Sequence, residues 1–247
     1  MLQAACFRVG LSSYLKMSDL SENIKAVLER IENACARAGR SAGEISLVAV
    51  SKTMGAERVQ EAVDAGLKLF GENRVQDAAP KIRALTGDIT WHMVGHLQRN
   101  KVKKAVSLFD MIQSVDSYDL AVEIDRRSGE LGKIMDVLVE VNTSGEDTKF
   151  GCKPEDCIDL IERMSHLRGI TVAGLMTIGA LTEDEAAVRN CFVTLRELAR
   201  EAREAGISGV EMRHLSMGMT SDFEMAIEEG SNMLRIGTAI FGPRQAR

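Results

Sequence analysis

Eight short apolar runs, separated by stretches with helical spacing, constrain this chain more than any other feature. The runs are expected as strands near 45–51, 67–71, 89–95, 111–115, 134–141, 170–178, 210–216 and 233–240. Most are nearly continuous rather than alternating, as in Met135-Asp136-Val137-Leu138-Val139-Glu140-Val141. A strand that is apolar on both faces needs cover on both faces, which is the situation of a parallel sheet under helices. Helical patterns fill the gaps near 56–65, 73–84, 97–107, 117–131, 155–166, 183–205 and 220–229. Eight strands, each followed by a helix, fit one closed (β/α)8 barrel of the TIM type. An open doubly wound sheet fits less well, because no GxGxxG follows the first strand.

An extra helix precedes the first strand. Leu20, Ile24, Val27, Leu28, Ile31, Ala34 and Cys35 share one face over residues 18–39, and Gly39 is its expected stop. Residues 1–16 contain no acidic residue and no clear cleavage pattern, so they read as a disordered extension. Met17-Ser18-Asp19 then opens a single domain, 17–247, which no Pro-rich or Gly/Ser-rich linker divides.

The bulk numbers exclude several classes. A chain of 247 residues, 45% hydrophobic and 27% charged, suits an ordinary globular protein. Its net charge of −5 calls for neither nucleic acid nor an anionic membrane. The local run Arg99, Lys101, Lys103 and Lys104 reads as a solvated helix face. Cys6, Cys35, Cys152, Cys157 and Cys191 form no CxxC pair, so neither zinc nor a disulfide framework is indicated. They read as ordinary thiols of a reducing, cytoplasmic setting. No apolar run reaches membrane-spanning length.

In such a barrel the C-terminal strand ends converge on one mouth. Those ends carry Lys52, Asn73, the stretch His92 to His96, Asn142, Met176, Ser216 and Arg235. Lys52 closes the first apolar run, where an amine can be desolvated and made nucleophilic. Phosphate sites often form from the loops after strands seven and eight. Here those loops read His214-Leu215-Ser216-Met217-Gly218-Met219-Thr220-Ser221 and Arg235-Ile236-Gly237-Thr238. Glycine lets backbone approach a phosphate, Ser216 and Thr238 add hydroxyls, and Thr220 and Ser221 open the next helix. An aldehyde-trapping amine beside a phosphate cradle suggests pyridoxal phosphate.

Each piece also has an ordinary reading. Strand-end lysines cover apolar surface with their stems. Gly-Thr is common turn chemistry, and Arg235 could pair with Glu211 or Asp222. His92 and His96 flank a break at Gly95, so they do not read as a metal pair. Only the pairing of Lys52 with the two loops singles out a site.

The longer motifs are Val48-Ala49-Val50-Ser51-Lys52, Phe70-Gly71-Glu72-Asn73 and Trp91-His92-Met93-Val94-Gly95-His96-Leu97-Gln98-Arg99-Asn100-Lys101. They continue with Gly174-Leu175-Met176, His214-Leu215-Ser216-Met217-Gly218-Met219 and Arg235-Ile236-Gly237-Thr238-Ala239-Ile240-Phe241-Gly242. With these in this order, the chain resembles the pyridoxal-phosphate homeostasis proteins from about Met17 onward. That family looks like the barrel of alanine racemase without its second domain. The resemblance implies a protein that holds pyridoxal 5'-phosphate as a Schiff base on Lys52 and maintains vitamin B6 and amino-acid homeostasis without substantial catalysis. It implies that Ser216, Gly237 and Thr238 bind the phosphate with help from Thr220, that Arg235 faces the pyridine nitrogen, and that Asn73 lies near the ring. An arginine there donates without giving up its proton, which weakens the ring as an electron sink. Pyridoxal-phosphate-dependent apoenzymes are the implied recipients, and a monomer or weak dimer is expected.

Two enzyme readings use the same residues. An amino-acid racemase of the alanine-racemase type would need an acid/base tyrosine, and only Tyr14 and Tyr118 are present. Arg247 directly follows the eighth run, so no second domain is expected to supply one. A Schiff-base aldolase of phosphosugars would need a placed acid, and Glu140 has no role fixed by sequence. Arg74, where the family often has an aromatic, and Thr220-Ser221-Asp222-Phe223-Glu224, where it often has more acid, are departures.

Overall fold

A computed structural model describes the backbone of residues 10–243 and the side chains of residues 19–243. Helix α1 (Gly10–Arg37) starts ahead of the expected residue 18. Residues 1–9 of the expected extension lie outside the described residues, as does Cys6, while 10–16 belong to the α1 backbone. Leu20, Ile24, Val27, Ile31, Ala34 and Cys35 are buried, at steps of three and four that keep one face inward. Leu28 is 42% exposed, so the buried stripe is narrower than the apolar pattern.

The strands are β1 (Ser46–Val50), β2 (Leu69–Glu72), β3 (Thr90–Met93), β4 (Met111–Val115), β5 (Met135–Glu140), β6 (Ile170–Met176), β7 (Val210–Ser216) and β8 (Met233–Ile236). The later helices are α2 (Ala56–Asp64), α3 (Val75–Ala84), α4 (Val102–Leu108), α5 (Tyr118–Glu130), α6 (Cys157–Met164), α7 (Glu185–Glu204), α8 (Phe223–Glu228) and α9 (Thr238–Phe241). The strands pair in sequence order, all parallel, and β8 closes on β1. The expected closed barrel is therefore the fold. Arg99, Lys101, Lys103 and Lys104 are exposed on a short 3-10 turn and α4, as a solvated face should be. No helix among the described residues is long and apolar enough to cross a membrane.

Two apolar regions explain the continuous runs. Val48, Val50, Val94, Met111, Leu138, Ala173, Met176 and Met233 fill the barrel interior. A much larger cluster, including Ala49, Phe70, Ile112, Val137 and Leu234, lies between the strands and the helices. A strand with period two feeds both.

Helix α1 crosses α8 and α9. Arg30 Nε and Arg37 Nη2 each donate to Glu224 at 2.8 Å, and Asn23 Nδ2 donates to the Ile240 carbonyl at 3.1 Å. Half-exposed ion pairs of this kind contribute about 0–1 kcal/mol each. Burial of the apolar stripe, at about 1.5–3 kcal/mol per large side chain, is the larger effect.

Strand eight is shorter than the expected 233–240, and residues 238–240 are helical. The register Ser46↔Met233 to Ala49↔Ile236 runs out one residue before the end of β1. At Gly237 (φ −115°, ψ −72°) the chain turns into α9. A Cβ at Gly237 would lie 3.1 Å from the Val50 carbonyl oxygen, so the turn is drawn tightly onto the end of β1. Helix α8 likewise begins at Phe223 rather than 220, after a turn closed by Met219 and Asp222.

Candidate functional site at the barrel mouth

Lys52 follows β1 by two residues and is half-buried. Val48 and Val50 face the interior, whereas Ser51 is fully buried and turned outward toward α3. Its Oγ donates to Glu72 Oε1 at 2.6 Å. Lys81 of α3 donates to the same carboxylate oxygen at 2.5 Å and to the Ser51 carbonyl at 2.7 Å. Alternation then leaves Lys52 on the inner side of the mouth. The Met54 amide closes the turn onto the Ser51 carbonyl at 3.0 Å. Thr53, inside that turn, sits at φ +69°, a left-handed conformation that β-branched residues rarely adopt. The backbone around Lys52 is thus fixed by a buried ion pair that sequence reading missed.

Asn73 follows β2. Val50 pairs with Gly71, so Lys52 and Asn73 occupy neighbouring positions two residues further on. On the other flank, Val48 pairs with Arg235, which brings β8 and its turn beside Lys52.

Arg235 is 5% exposed, inside the barrel. Its Nη1 donates to Ser216 Oγ and its Nη2 to the Thr177 carbonyl, both at 2.7 Å. The ion pair with Glu211 or Asp222 that the sequence allowed is not formed. Glu211 pairs with Arg213, and Asp222 accepts from the Met219 amide at 2.6 Å. Burial pushes the Arg235 guanidinium down to about 10, with Glu140 and Asp222 acting in the opposite direction. It remains charged at neutral pH.

Ser216 lies beneath Arg235, fully buried. Its hydroxyl donates to Gln113 Oε1 at 2.7 Å, and Gln113 Nε2 reaches His92 Nδ1 at 2.8 Å. Every bond in this series can donate away from Arg235. That direction requires neutral His92 with its proton on Nε2, a tautomer assigned from the network. Burial, reinforced by nearby His214, holds His92 down to about 4, so it is neutral at pH 7. Sequence reading placed Ser216 in the phosphate cradle; here its hydroxyl is engaged with Arg235 and Gln113.

The loops after β7 and β8 are tied together. The Arg235 amide donates to the Gly218 carbonyl at 3.0 Å, and Thr220 Oγ1 accepts from the Ala239 amide at 3.3 Å. Gly237 and Thr238 form the turn that opens α9, with Thr238 exposed. Asn73, Thr220, Arg235, Gly237 and Thr238 therefore stand on the same side of the mouth as Lys52.

Other strand-end residues serve elsewhere. Asn142 donates to the Glu146 carbonyl and accepts from the Gly145 amide, shaping its own loop. His96 stacks on Phe150 with centroids 3.7 Å apart and lies 3.4 Å from Asp116. Glu140, at the end of β5, is 3% exposed, and its Oε2 has no hydrogen-bond partner among the described residues. Burial raises its carboxyl to about 7, with Asp116 adding to the rise and Arg235 opposing it. The sequence signal for Glu140 was an acid two residues from Leu138, on the same side of a strand that is mostly apolar.

The family model for the alanine racemase N-terminal domain matches residues 23–245. A relative in Aquifex aeolicus (strain VF5), called a pyridoxal phosphate homeostasis protein, is 45% identical over 91% of this chain and 98% of its own length. A relative of the same name in Escherichia coli (strain K12) is 39% identical over 92% of this chain and 98% of its own. The solved structure of PipY from Synechococcus elongatus PCC7942, with PLP bound, superposes with a TM-score of 0.79 at 35% identity, covering 90% of this chain and 100% of that one.

Proposed function

The chain belongs to the pyridoxal phosphate homeostasis protein family, built on the alanine racemase N-terminal domain, and on that footing we propose that it binds pyridoxal 5'-phosphate through Lys52. In this reading it holds the cofactor reversibly in the cytoplasm, maintains vitamin B6 and amino-acid homeostasis, and passes cofactor to apoenzymes without substantial catalysis of its own. It does so as a monomer or weak dimer. The observation that carries the reading is the strand register, which sets Lys52 between Asn73 after β2 and the Arg235–Gly237 turn at the end of β8.

The residues present fit such a group. A dianionic phosphate needs amides, hydroxyls and close backbone. The turn at Gly237, the exposed Thr238 and the Thr220 hydroxyl offer these together. A heteroaromatic ring needs a fixed donor at its nitrogen. Arg235 is such a donor, charged and braced by Ser216 and the Thr177 carbonyl. When bound, the cofactor supplies an aldehyde that condenses with an amine. The protein's part is to present one half-buried amine on a rigid turn, keep a charged donor in place and hold water back with the apolar interior. A ring facing a permanent guanidinium is a poor electron sink, which favours holding over turnover. Asn73 lies where it would flank the ring, and Ser216 acts through Arg235.

The test is an absorption spectrum of the purified protein with pyridoxal phosphate, before and after borohydride, with mass spectrometry of the Lys52 peptide. A visible band that converts to a reduced adduct on Lys52 supports the reading. Absence of both from protein that is folded by circular dichroism removes it.

A further inference from the structure

Beside the mouth, between the loops after β2 and β3, lies a cleft of about 380 Å³ that does not include Lys52 in its lining. Asn73, Arg74, Gly95, His96, Gln98 and Lys101 contribute to its walls, and no Asp or Glu does. The volume is that of a small-molecule site.

The cleft is built rather than incidental. Met93, Val75 and Leu97, which also line it, are 1–2% exposed and anchor its walls in the core. Gly95 forms the tight junction of the two loops. A Cβ there would meet the Asn73 carbonyl oxygen at 2.6 Å, so the loops touch backbone to backbone. Ser114 Oγ pins the Gly95 carbonyl at 2.7 Å.

Its charge is unbalanced locally. The chain carries a net charge of −5, and several arginines elsewhere are laced into ion pairs, as Arg126 and Arg127 are with Glu123 and Glu130. Around the cleft, Arg99 faces Asp119 at 3.9 Å and His96 faces Asp116 at 3.4 Å. Among the described residues, neither Arg74 nor Lys101 has a carboxylate within ion-pair distance. Two cations that face one concave wall without counter-charge form a receptor for an anionic group. The long motif that ends in Gln98-Arg99-Asn100-Lys101 gives nothing to the cofactor set, and this cleft gives it a use.

We propose that the cleft binds a small organic anion, its carboxylate or phosphate group held between Arg74 and Lys101 and its remainder against Gln98 and His96. The site adjoins the Lys52 site through Asn73. This inference rests on the cleft's own geometry and survives failure of the cofactor reading.

The test uses the full chain and amide chemical shifts, with titrations of inorganic phosphate and of succinate at constant ionic strength. Saturable shifts confined to residues 74–76 and 96–101 support the site, and the probe that binds tells phosphate from carboxylate. The Arg74→Gln/Lys101→Gln double variant should weaken binding about tenfold or more, with an unchanged melting temperature and an unchanged Lys52 adduct. Arg74→Lys/Lys101→Arg, which keeps both charges, should retain binding even if the first variant folds poorly. No saturable binding of either probe overturns the proposal. So does binding that the charge-removing variant leaves intact.

Discussion

The Arg235 guanidinium donates to Ser216 Oγ at 2.7 Å, and the Ser216 hydroxyl donates in turn to Gln113 Oε1 at the same distance. One buried hydroxyl therefore serves as both acceptor and donor. Ser216→Ala leaves an arginine donor and an amide oxygen unpartnered, at a cost of about 1–3 kcal/mol. Urea denaturation should show that loss, and the cofactor should dissociate faster from the variant. Unchanged stability would mean that Arg235 is positioned by the Thr177 carbonyl alone.

Lys52→Ala should abolish the borohydride-stable adduct while leaving the fold intact. Ser51, Glu72 and Lys81 hold the turn. An intact mass showing one cofactor still bound after reduction would move the attachment point to another lysine.

His92 makes the fold sensitive to acid. Its native value of about 4 lies below the ordinary 6.5, so the unfolded chain binds the proton more readily between those limits. The stability this represents is present above pH 6.5 and is lost as pH falls toward 4, on the order of 3 kcal/mol. Stability curves for His92→Gln, measured at pH 7 and pH 4.5, should lie closer together than those of the parent. Equal pH dependence in the two proteins would show that His92 does not titrate as described.

Glu140 acts with the opposite slope. Its value is raised from 4.5 to about 7, so the stabilising proton is present below pH 4.5 and is lost as pH rises through 7. Glu140→Gln keeps the shape and removes the charge. The variant should gain stability relative to the parent at pH 8 and show little difference at pH 4.5, measured by the same urea titrations.

Lys81→Met strands the Glu72 carboxylate in a site with no exposure. Breaking one side of a buried pair costs about 3–5 kcal/mol, whereas replacing both partners by apolar residues is much less costly. Comparing Lys81→Met with Lys81→Met/Glu72→Met by thermal melts checks this. The double variant should recover most of the loss.

The barrel was legible because its signal is long-range and redundant. Runs such as Val137–Val139 are apolar on both faces, and only a covered parallel sheet uses them. The position of Lys52 and Asn73 at one mouth was legible for a related reason, since each follows such a run and this fold gathers strand ends. What sequence could not show was direction. Nothing in Ser216 tells whether its hydroxyl points up to a ligand or down to Gln113. Gln113 itself sits mid-run beside Ser114, where two polar residues resemble an imperfection. Lys81 carries no signal of its own in the sequence, because its partner Glu72 lies on a different element. The over-long eighth strand has the same origin. Ala239 and Ile240 extend an apolar pattern, and only the exhausted register of β1 shows where pairing must stop.

Two lysines close to one mouth pose a question of chemoselectivity. An aldehyde does not distinguish amines by name; it condenses with whichever is reachable and carries a lone pair. Lys81 points to the outside of the barrel wall, 8% exposed at its side chain, with its protons committed to Glu72 and the Ser51 carbonyl. On the proposed function, the same clamp that shapes the turn under Lys52 also takes the Lys81 amine out of competition, so that one ion pair supports one lysine and occupies another.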